Sequence, residues 1–448
     1  PSVLGRVCPH PCEDHCNRSE LDEPLSINAM ERFLGDWAID ADVPLAHLED
    51  TPRDEWIGVV GAGPSGLSFA YQMARRGYTV TVYEKGAHPG GMLRRAIPDY
   101  RLPTRIVDAE IRRVFDMGIS LESGADLGTT VSLEDLRERH RLLFLGLGAQ
   151  GARSLGVAGE SLTGVISGIA YLGQRKSGAR PQPGRNVVVI GGGNTAIDAA
   201  RTARRDGADV TVLYRRSREE MPAASGEVDD AIAEGVRFKF LATPREIFGE
   251  GNRVTGLEYQ RMRLGEPDHQ GRRQPLPIEG DTGRLAAEAV IVAVAQAPDW
   301  NGLGERHHWL KTEADGRLAD DIWAGGDDTG PGIASRAIAQ GRLAAEAAHA
   351  ELRGESRPRE LPPMTDVDTQ RVKADYHDER RRCVHERLPT DERLANPDFE
   401  RKSCDERRFS TDRLDFVHNP LLLHRLFSLL LQMKRDVDPV LEESPVVG

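Results

Sequence analysis

Residues 56–66 read Trp56-Ile57-Gly58-Val59-Val60-Gly61-Ala62-Gly63-Pro64-Ser65-Gly66. A short, mostly apolar run enters a turn with glycine at its first, third and sixth places. An apolar run without polar alternation fits a strand buried on both faces, as in a parallel sheet. A helical pattern follows from Leu67 to Arg76, then Gly77, then Tyr78-Thr79-Val80-Thr81-Val82-Tyr83-Glu84. The unit is therefore β-turn-α-β. Gly61 permits the tight turn, Gly63 lets the backbone approach a pyrophosphate, and Gly66 lets the helix pack closely on the strand. The anion meets free N–H groups at the positive end of the helix dipole. Glu84, at the end of the second strand, is placed to accept hydrogen bonds from a ribose diol.

The same theme recurs. Asn186-Val187-Val188-Val189-Ile190 leads into Gly191-Gly192-Gly193-Asn194-Thr195-Ala196, a helical pattern to Arg205, Gly207, and then Asp209-Val210-Thr211-Val212-Leu213-Tyr214-Arg215-Arg216. Ala196 takes the third small position, which the pattern allows. Arg215 and Arg216 stand where an acid would end the second strand. Two guanidiniums there suit a 2′-phosphate, which points to NADP(H); the alternative is a solvated basic turn with NAD(H). A third piece, Asp320-Asp321-Ile322-Trp323-Ala324-Gly325-Gly326-Asp327, is a short strand ending in an acid. A helix is expected from about Ile333 to Ala350. Asp327 is placed for a flavin ribityl hydroxyl, and the helix start at Ile333 for the flavin N1/C2=O edge.

The expected fold is α/β, with two Rossmann-like dinucleotide domains, the first interrupted by the second. The boundaries read as a helical Cys-rich segment at 1–54, the first domain at 55–180 and 301–352, the second at 181–300, and a charged tail at 353–448. Within 448 residues, 39% are hydrophobic and 29% charged, which is a globular composition. A net charge of -12 argues against nucleic-acid binding, and no apolar run reaches the ~20 residues of a membrane span. The start, Pro1-Ser2-Val3-Leu4, has no signal-peptide pattern and no initiator Met, so residues are expected upstream. Five cysteines, three of them clustered, fit a reducing cytoplasm better than a secreted disulfide framework.

Taken together, these motifs resemble the flavoprotein small subunit of glutamate synthase and its wider family, which includes the flavin half of dihydropyrimidine dehydrogenase and NADPH:ferredoxin transhydrogenase subunits. The resemblance is carried by Gly5 to Cys16, Gly61 to Leu67, Gly90-Gly91-Met92-Leu93, Ile97 to Pro103, Gly191 to Asp198, Tyr214 to Pro222 and Ala324 to Asp327, in family order over residues 1 to about 350. It implies FAD in the first cradle, with Gly90, Gly91, Met92 and Leu93 against it, and the nicotinamide coenzyme in the second.

Cys8, Cys12 and Cys16 are spaced four apart, with Pro9 and Pro11 breaking any continuous helix. Such crowded thiols read as soft-metal ligands. Zinc or a [4Fe–4S] cluster each needs four. The resemblance implies two [4Fe–4S] clusters, Cys8 and Cys12 joining one and Cys16 the other, with Glu31 at the position of an unusual carboxamide or carboxylate ligand. The family's upstream C-x-x-C segment is absent here. That leaves a trimmed N-terminus, ligands from another subunit, or lost clusters.

The expected activity is hydride exchange between NAD(P)H and FAD, with single electrons passed through iron–sulfur clusters to or from a partner. No protein acid or base is required for the hydride step, so no catalytic residue is singled out. The partner is expected to be a large catalytic or ferredoxin-like subunit of a hetero-oligomer. The alternatives are a flavin subunit of another ferredoxin- or aldehyde-linked oxidoreductase, or a non-catalytic assembly module. Pro420 to Met433 reads as a short apolar helix that docks a partner or packs on its own chain. Cys383 and Cys404 read as plain thiols.

Overall fold

The structure is a computed structural model describing residues 1–356, apart from 21, 50, 180, 182, 269–270, 299–301, 304–311 and 331, and residues 388–395. The expected helix at Pro420–Met433 and the thiols Cys383 and Cys404 lie outside the described residues.

Three helices open the chain: α1 (Leu4–Val7), α2 (Pro11–Asp14) and α3 (Ile27–Asp40). α1 meets α3 at glycine, because a Cβ on Gly5 would stand 2.5 Å from the Arg32 backbone. Ser2 N–H donates to Glu110 Oε1 at 2.7 Å and Arg113 Nε donates to the Val43 carbonyl at 3.1 Å, which ties this segment to the domain that follows.

That domain begins with β1 (Trp56–Val60), α4 (Pro64–Ala74), β2 (Thr79–Glu84), α5 (Gly91–Arg95), α6 (Thr104–Phe115), β3 (Ser120–Ser123), α7 (Leu133–Arg139) and β4 (Leu142–Leu145). The chain then leaves through β5 (Gly151–Ala152) and builds β6 (Val165–Ser167), α8 (Gly168–Lys176), β7 (Asn186–Ile190), α9 (Asn194–Arg205), β8 (Asp209–Tyr214), α10 (Ser225–Ala233) and β9 (Arg237–Phe240). After these come β10 (Ala242–Glu250), β11 (Arg253–Pro267), β12 (Arg273–Ala286), β13 (Ala289–Val292) and β14 (Gln296–Ala297). It returns with β15 (Arg317–Ala319), β16 (Ile322–Ala324) and α11 (Ala334–Arg353); α12 (Thr390–Ala395) lies further on.

The first sheet has the order β15-β16-β4-β1-β2-β3 and is parallel except for β15. The second has the order β6-β13-β7-β8-β9 and is parallel throughout. Both are covered on two faces, as their continuous apolar strands require. In the first domain Phe69 stacks on Phe144 at 4.4 Å among Ile57, Val59, Met73 and Val82, while Leu136, Leu143 and Leu145 fill the opposite face. α11 lies hard against α4: a Cβ on Gly341 would come within 2.1 Å of the Ser65 carbonyl, so only glycine admits the crossing.

One expected boundary needs correction. The boundary placed at 180 cuts the second sheet, because β6 pairs with β13 and α8 follows it. The crossing lies earlier, where β5 and β14 run antiparallel, Gly151 opposite Ala297. A three-residue strand is too short to show a period. The second domain also carries an antiparallel sheet, β10-β11-β12, that the sequence reading did not anticipate.

Candidate functional site

The two glycine turns are built alike. Gly61 has φ +99 and Gly191 φ +144, backbone that L side chains rarely adopt. Gly61 N–H donates to the Tyr83 carbonyl at 2.7 Å, and Gly191 N–H to the Leu213 carbonyl at 3.1 Å. A Cβ on Gly61 would reach 2.3 Å from the Gly146 carbonyl, and one on Gly191 2.2 Å from the Ala293 carbonyl. Each turn thus leaves its first strand at the point where the sheet order reverses, the usual ligand crevice of an open parallel sheet. A Cβ on Gly66 would stand 2.0 Å from the Gly61 carbonyl, so the helix seats against the turn. Gly63 and Gly193 differ: a Cβ on either meets no atom within 4 Å. Their absent side chains leave open space rather than admit a packing neighbour, as close approach of a pyrophosphate requires.

A cavity of about 520 Å³ joins the two turns. Gly61, Gly63, Pro64, Ser65 and Glu84 line it from the first cradle; Gly91, Met92 and Leu93 from α5; Gly326, Asp327 and Ile333 from the returning strand and α11. Asn194 and Thr195, at the start of α9, close it from the second cradle. Gly66, Gly90, Gly191, Gly193 and Ala196 are not among the residues that line it. Gly90 donates its N–H to the Ala62 carbonyl at 2.8 Å, and a Cβ on it would meet Arg94, Ile111 and Val107 at 3.1, 3.2 and 3.3 Å. Ala196 is fully buried in the core.

Glu84 is held by two backbone donors, Ala62 N–H on Oε2 and Gly86 N–H on Oε1, each at 2.8 Å. Each oxygen keeps a lone pair for a hydroxyl donor. Asp327 accepts from Gly332 N–H at 2.9 Å, and burial pushes its carboxyl above the usual range. Next to it, Asp328 is 2% exposed and pushed up to about 7 by burial; its Oδ2 accepts from Leu147 N–H at 3.0 Å, while Oδ1 has no hydrogen-bond partner. An acid beside an acid gave no periodicity by which to find it.

The sequence reading named no role for Arg101 or Asp198. Both line the cavity, Arg101 from the first domain and Asp198 from α9. Arg101 Nη1 lies 2.7 Å from each oxygen of Asp198. Each residue sat in a motif of its own, and nothing in the sequence joins motifs about a hundred positions apart.

The structure places the two arginines of the expected clamp differently. Arg216 is buried; its Nε donates to the Arg273 carbonyl at 2.7 Å and its Nη2 to Asp268 at 3.2 Å. It braces the tip of the β11–β12 hairpin, which the sequence reading did not foresee. Arg215 remains exposed.

In the N-terminal segment, Cys8 caps α1 and its Sγ lies 3.9 Å from Ser335 Oγ, at the start of α11. Its neighbour Val7 lines the cavity. Cys12 is exposed; burial and the neighbouring Cys8 push its thiol up. Cys16 Sγ accepts from Leu25 N–H at 3.5 Å, which pulls its thiol down. Glu31 is pushed up by burial, with the N-terminal amine and Glu110 as its charged neighbours. Among the described residues no three His, Cys, Asp or Glu side chains converge as a metal site, so the chain does not gather Cys8, Cys12, Cys16 and Glu31 at one point. The donors nonetheless fit soft-metal chemistry: a thiol pair, Cys8 and Cys12, and a separate thiol, Cys16.

The model of the pyridine nucleotide-disulphide oxidoreductase family matches residues 56–341. The chain belongs to that family. It is accordingly an oxidoreductase that works with FAD and a pyridine nucleotide, yet the matched stretch contains no cysteine and hence no redox disulfide. A second model, for the 4Fe-4S domain II of dihydropyrimidine dehydrogenase, matches residues 1–43. The NADPH-Fe(3+) oxidoreductase subunit beta of Geobacter sulfurreducens is 40% identical over 345 residues, 72% of this chain and 51% of that one. The glutamate synthase [NADPH] small chain of Halomonas elongata is 34% identical over 373 residues, 77% of this chain and 79% of that one. The chain therefore spans about half the length of the first relative. Among solved structures, FprA of Mycobacterium tuberculosis gives a TM-score of 0.60 at 19% identity over 67% of this chain and 85% of that one, a likeness of fold. Among the described residues no helix is long and apolar enough to cross a membrane.

Proposed function

We propose that the first cradle holds FAD and the second NADP(H), that a hydride passes between them, and that electrons leave singly through the N-terminal segment to a partner subunit in the cytoplasm. One observation carries this reading: a single cavity is lined by both cradles, so the two ring systems have a common chamber. FAD, when bound, supplies a ring that exchanges a hydride with nicotinamide and single electrons with one-electron carriers.

The rest belongs to the chain's own residues. Gly61 permits the turn against Gly146, Gly63 opens the space for a pyrophosphate, and the start of α4 turns free N–H groups toward it. Glu84, locked by Ala62 and Gly86, presents fixed acceptors to ribose hydroxyls, and Asp327 does so further along. Met92 and Leu93 wall the chamber with apolar surface. In the second cradle Gly193 opens the phosphate path, Asn194 Oδ1 accepts from Ala224 N–H at 3.0 Å, and Thr195 reaches the chamber. Arg215 is the exposed cation for a 2′-phosphate. Cys8, one residue from the cavity wall and against α11, marks where electrons leave, with [4Fe–4S] ligation completed by ligands from an upstream segment or another subunit.

The partner is a large catalytic or ferredoxin-like subunit. A glutamate synthase large subunit is one reading; an iron-reducing or other oxidoreductase complex is the second, favoured by 40% identity to the Geobacter subunit against 34% to the glutamate synthase small chain. Anaerobic addition of NADPH to the flavin-loaded chain tests the core of the proposal. Loss of the oxidised flavin band supports it, and an unchanged band refutes it. Identification of the co-purifying subunits separates the two partners.

A further inference from the structure

Arg393 lies on α12, beyond the end of the family match and in a tail that reads from sequence as irregular. It is nonetheless only 5% exposed. Its Nη1 stands 3.2 Å from Glu234 Oε1 and 3.2 Å from Asp230 Oδ1, and its Nη2 donates to Thr390 Oγ1 at 3.3 Å. A surface tail does not bury a guanidinium without compensation, so the acids it meets define what it does.

Those acids are not isolated. Glu234 also pairs with Arg201 at 2.7 Å and Arg205 at 2.5 Å. Arg201, fully buried, reaches on to Glu227. Glu227 lies 3.5 Å from Arg101, which holds Asp198. The guanidiniums of Arg201 and Arg205 lie over the ring of Tyr100, at 4.9 Å and 3.9 Å from its centroid. Tyr100 and Arg101 come from the first domain; Asp198, Arg201, Arg205, Glu227, Asp230 and Glu234 from the second. The network thus runs from α12 through the second domain to the first, and Arg393 is its guanidinium from α12. Its inner end, Arg101 with Asp198, lines the shared cavity.

We propose that Arg393 is a positioning residue, by which the C-terminal segment locks the ionic joint between the two nucleotide domains and so fixes Arg101 and Asp198 at the wall of the shared cavity. Without it, Glu234 draws more strongly on Arg201 and Arg205. Removing one guanidinium leaves buried carboxylate charge short of a partner, and the neighbouring guanidiniums are drawn toward it. Arg201 shifts toward the acids it shared with Arg393, loosens its hold on Glu227, and frees Tyr100 and Arg101. The inference takes from the proposed function only that both cradles are occupied.

The test uses the full flavin-loaded chain carrying Arg393→Gln, with backbone hydrogen exchange and anaerobic stopped-flow as separate readouts. Exchange over residues 98–103, in the other domain from α12, is expected to rise about tenfold. Flavin reduction by NADPH is expected to slow about tenfold with the half-saturating NADPH concentration nearly unchanged. Exchange that rises only over residues 388–395, with reduction unaltered, overturns the proposal. If Arg393→Gln does not fold, Arg393→Lys carries the test. It keeps the charge without the fork and is expected to raise exchange over 98–103 about threefold, whereas no change overturns the proposal. A wild-type flavin that NADPH does not reduce counts against the reading of the cradles, and the exchange readout then decides this inference alone.

Discussion

Arg101 Nη1 stands 2.7 Å from both carboxylate oxygens of Asp198, and the two side chains, 8% and 6% exposed, join separate domains at the wall of the cavity that both cradles share. Two buried charges so close are stable only together. Breaking such a pair by removing one partner costs about 3–5 kcal/mol, because the other charge stays buried. Arg101→Ala is therefore expected to lower the thermal midpoint sharply and to slow flavin reduction. Arg101→Ala with Asp198→Asn is expected to recover part of the stability, giving a non-additive cycle; additive effects would show that the pair does not act as a unit.

The first cradle separates packing glycine from ligand glycine. Gly61→Ala forces a Cβ into the Gly146 carbonyl at a positive φ and is expected to cost about 2 kcal/mol or more, visible in the apo-protein. Gly63 has φ -78, ordinary for alanine, and open space beyond it. Gly63→Ala is expected to fold like the wild type yet copurify with much less FAD. Equal flavin content in the two proteins would mean that no pyrophosphate passes there.

Asp328 ties stability to pH. Its carboxyl is raised from 3.8 to about 7 by burial, so the folded state prefers the neutral acid more than the unfolded state does. Its contribution is full below about pH 4 and is lost as pH rises toward and through 7, by an amount on the order of a few kcal/mol. Asp328→Asn removes that dependence. Melting curves from acidic to mildly alkaline pH are expected to show a smaller loss of stability for the variant. Parallel curves would assign the dependence to other groups.

Arg215 and Arg216 divide roles that the sequence reading gave to both. Arg215→Ala is expected to raise the KM for NADPH about tenfold while leaving turnover with NADH nearly unchanged. Arg216→Ala is expected instead to loosen the hairpin tip, with increased proteolysis near residues 266–273. Loss of NADPH preference on replacing Arg216 alone would restore the two-arginine clamp.

The parts of this architecture that follow from local chemistry were legible in the sequence. The apolar strands β1 and β7, the glycines that let backbone meet backbone, and Glu84 at the end of β2 each announce themselves within about thirty residues. What stayed hidden depends on contacts between distant segments. β6 is three residues long and joins the second sheet only by pairing with β13. That Arg216 has Asp268 beside it shows only once the β11–β12 hairpin is folded. Arg101, Asp198 and Arg393 belong to three segments that share one ionic joint only after folding.

The central claim is that one chamber brings a nicotinamide ring and a flavin ring together, and anaerobic titration of the FAD-loaded chain with NADPH tests it most directly. The account predicts stoichiometric bleaching of the oxidised flavin band. A flavin that stays oxidised under excess NADPH and NADH, in a protein shown to hold FAD, would contradict it.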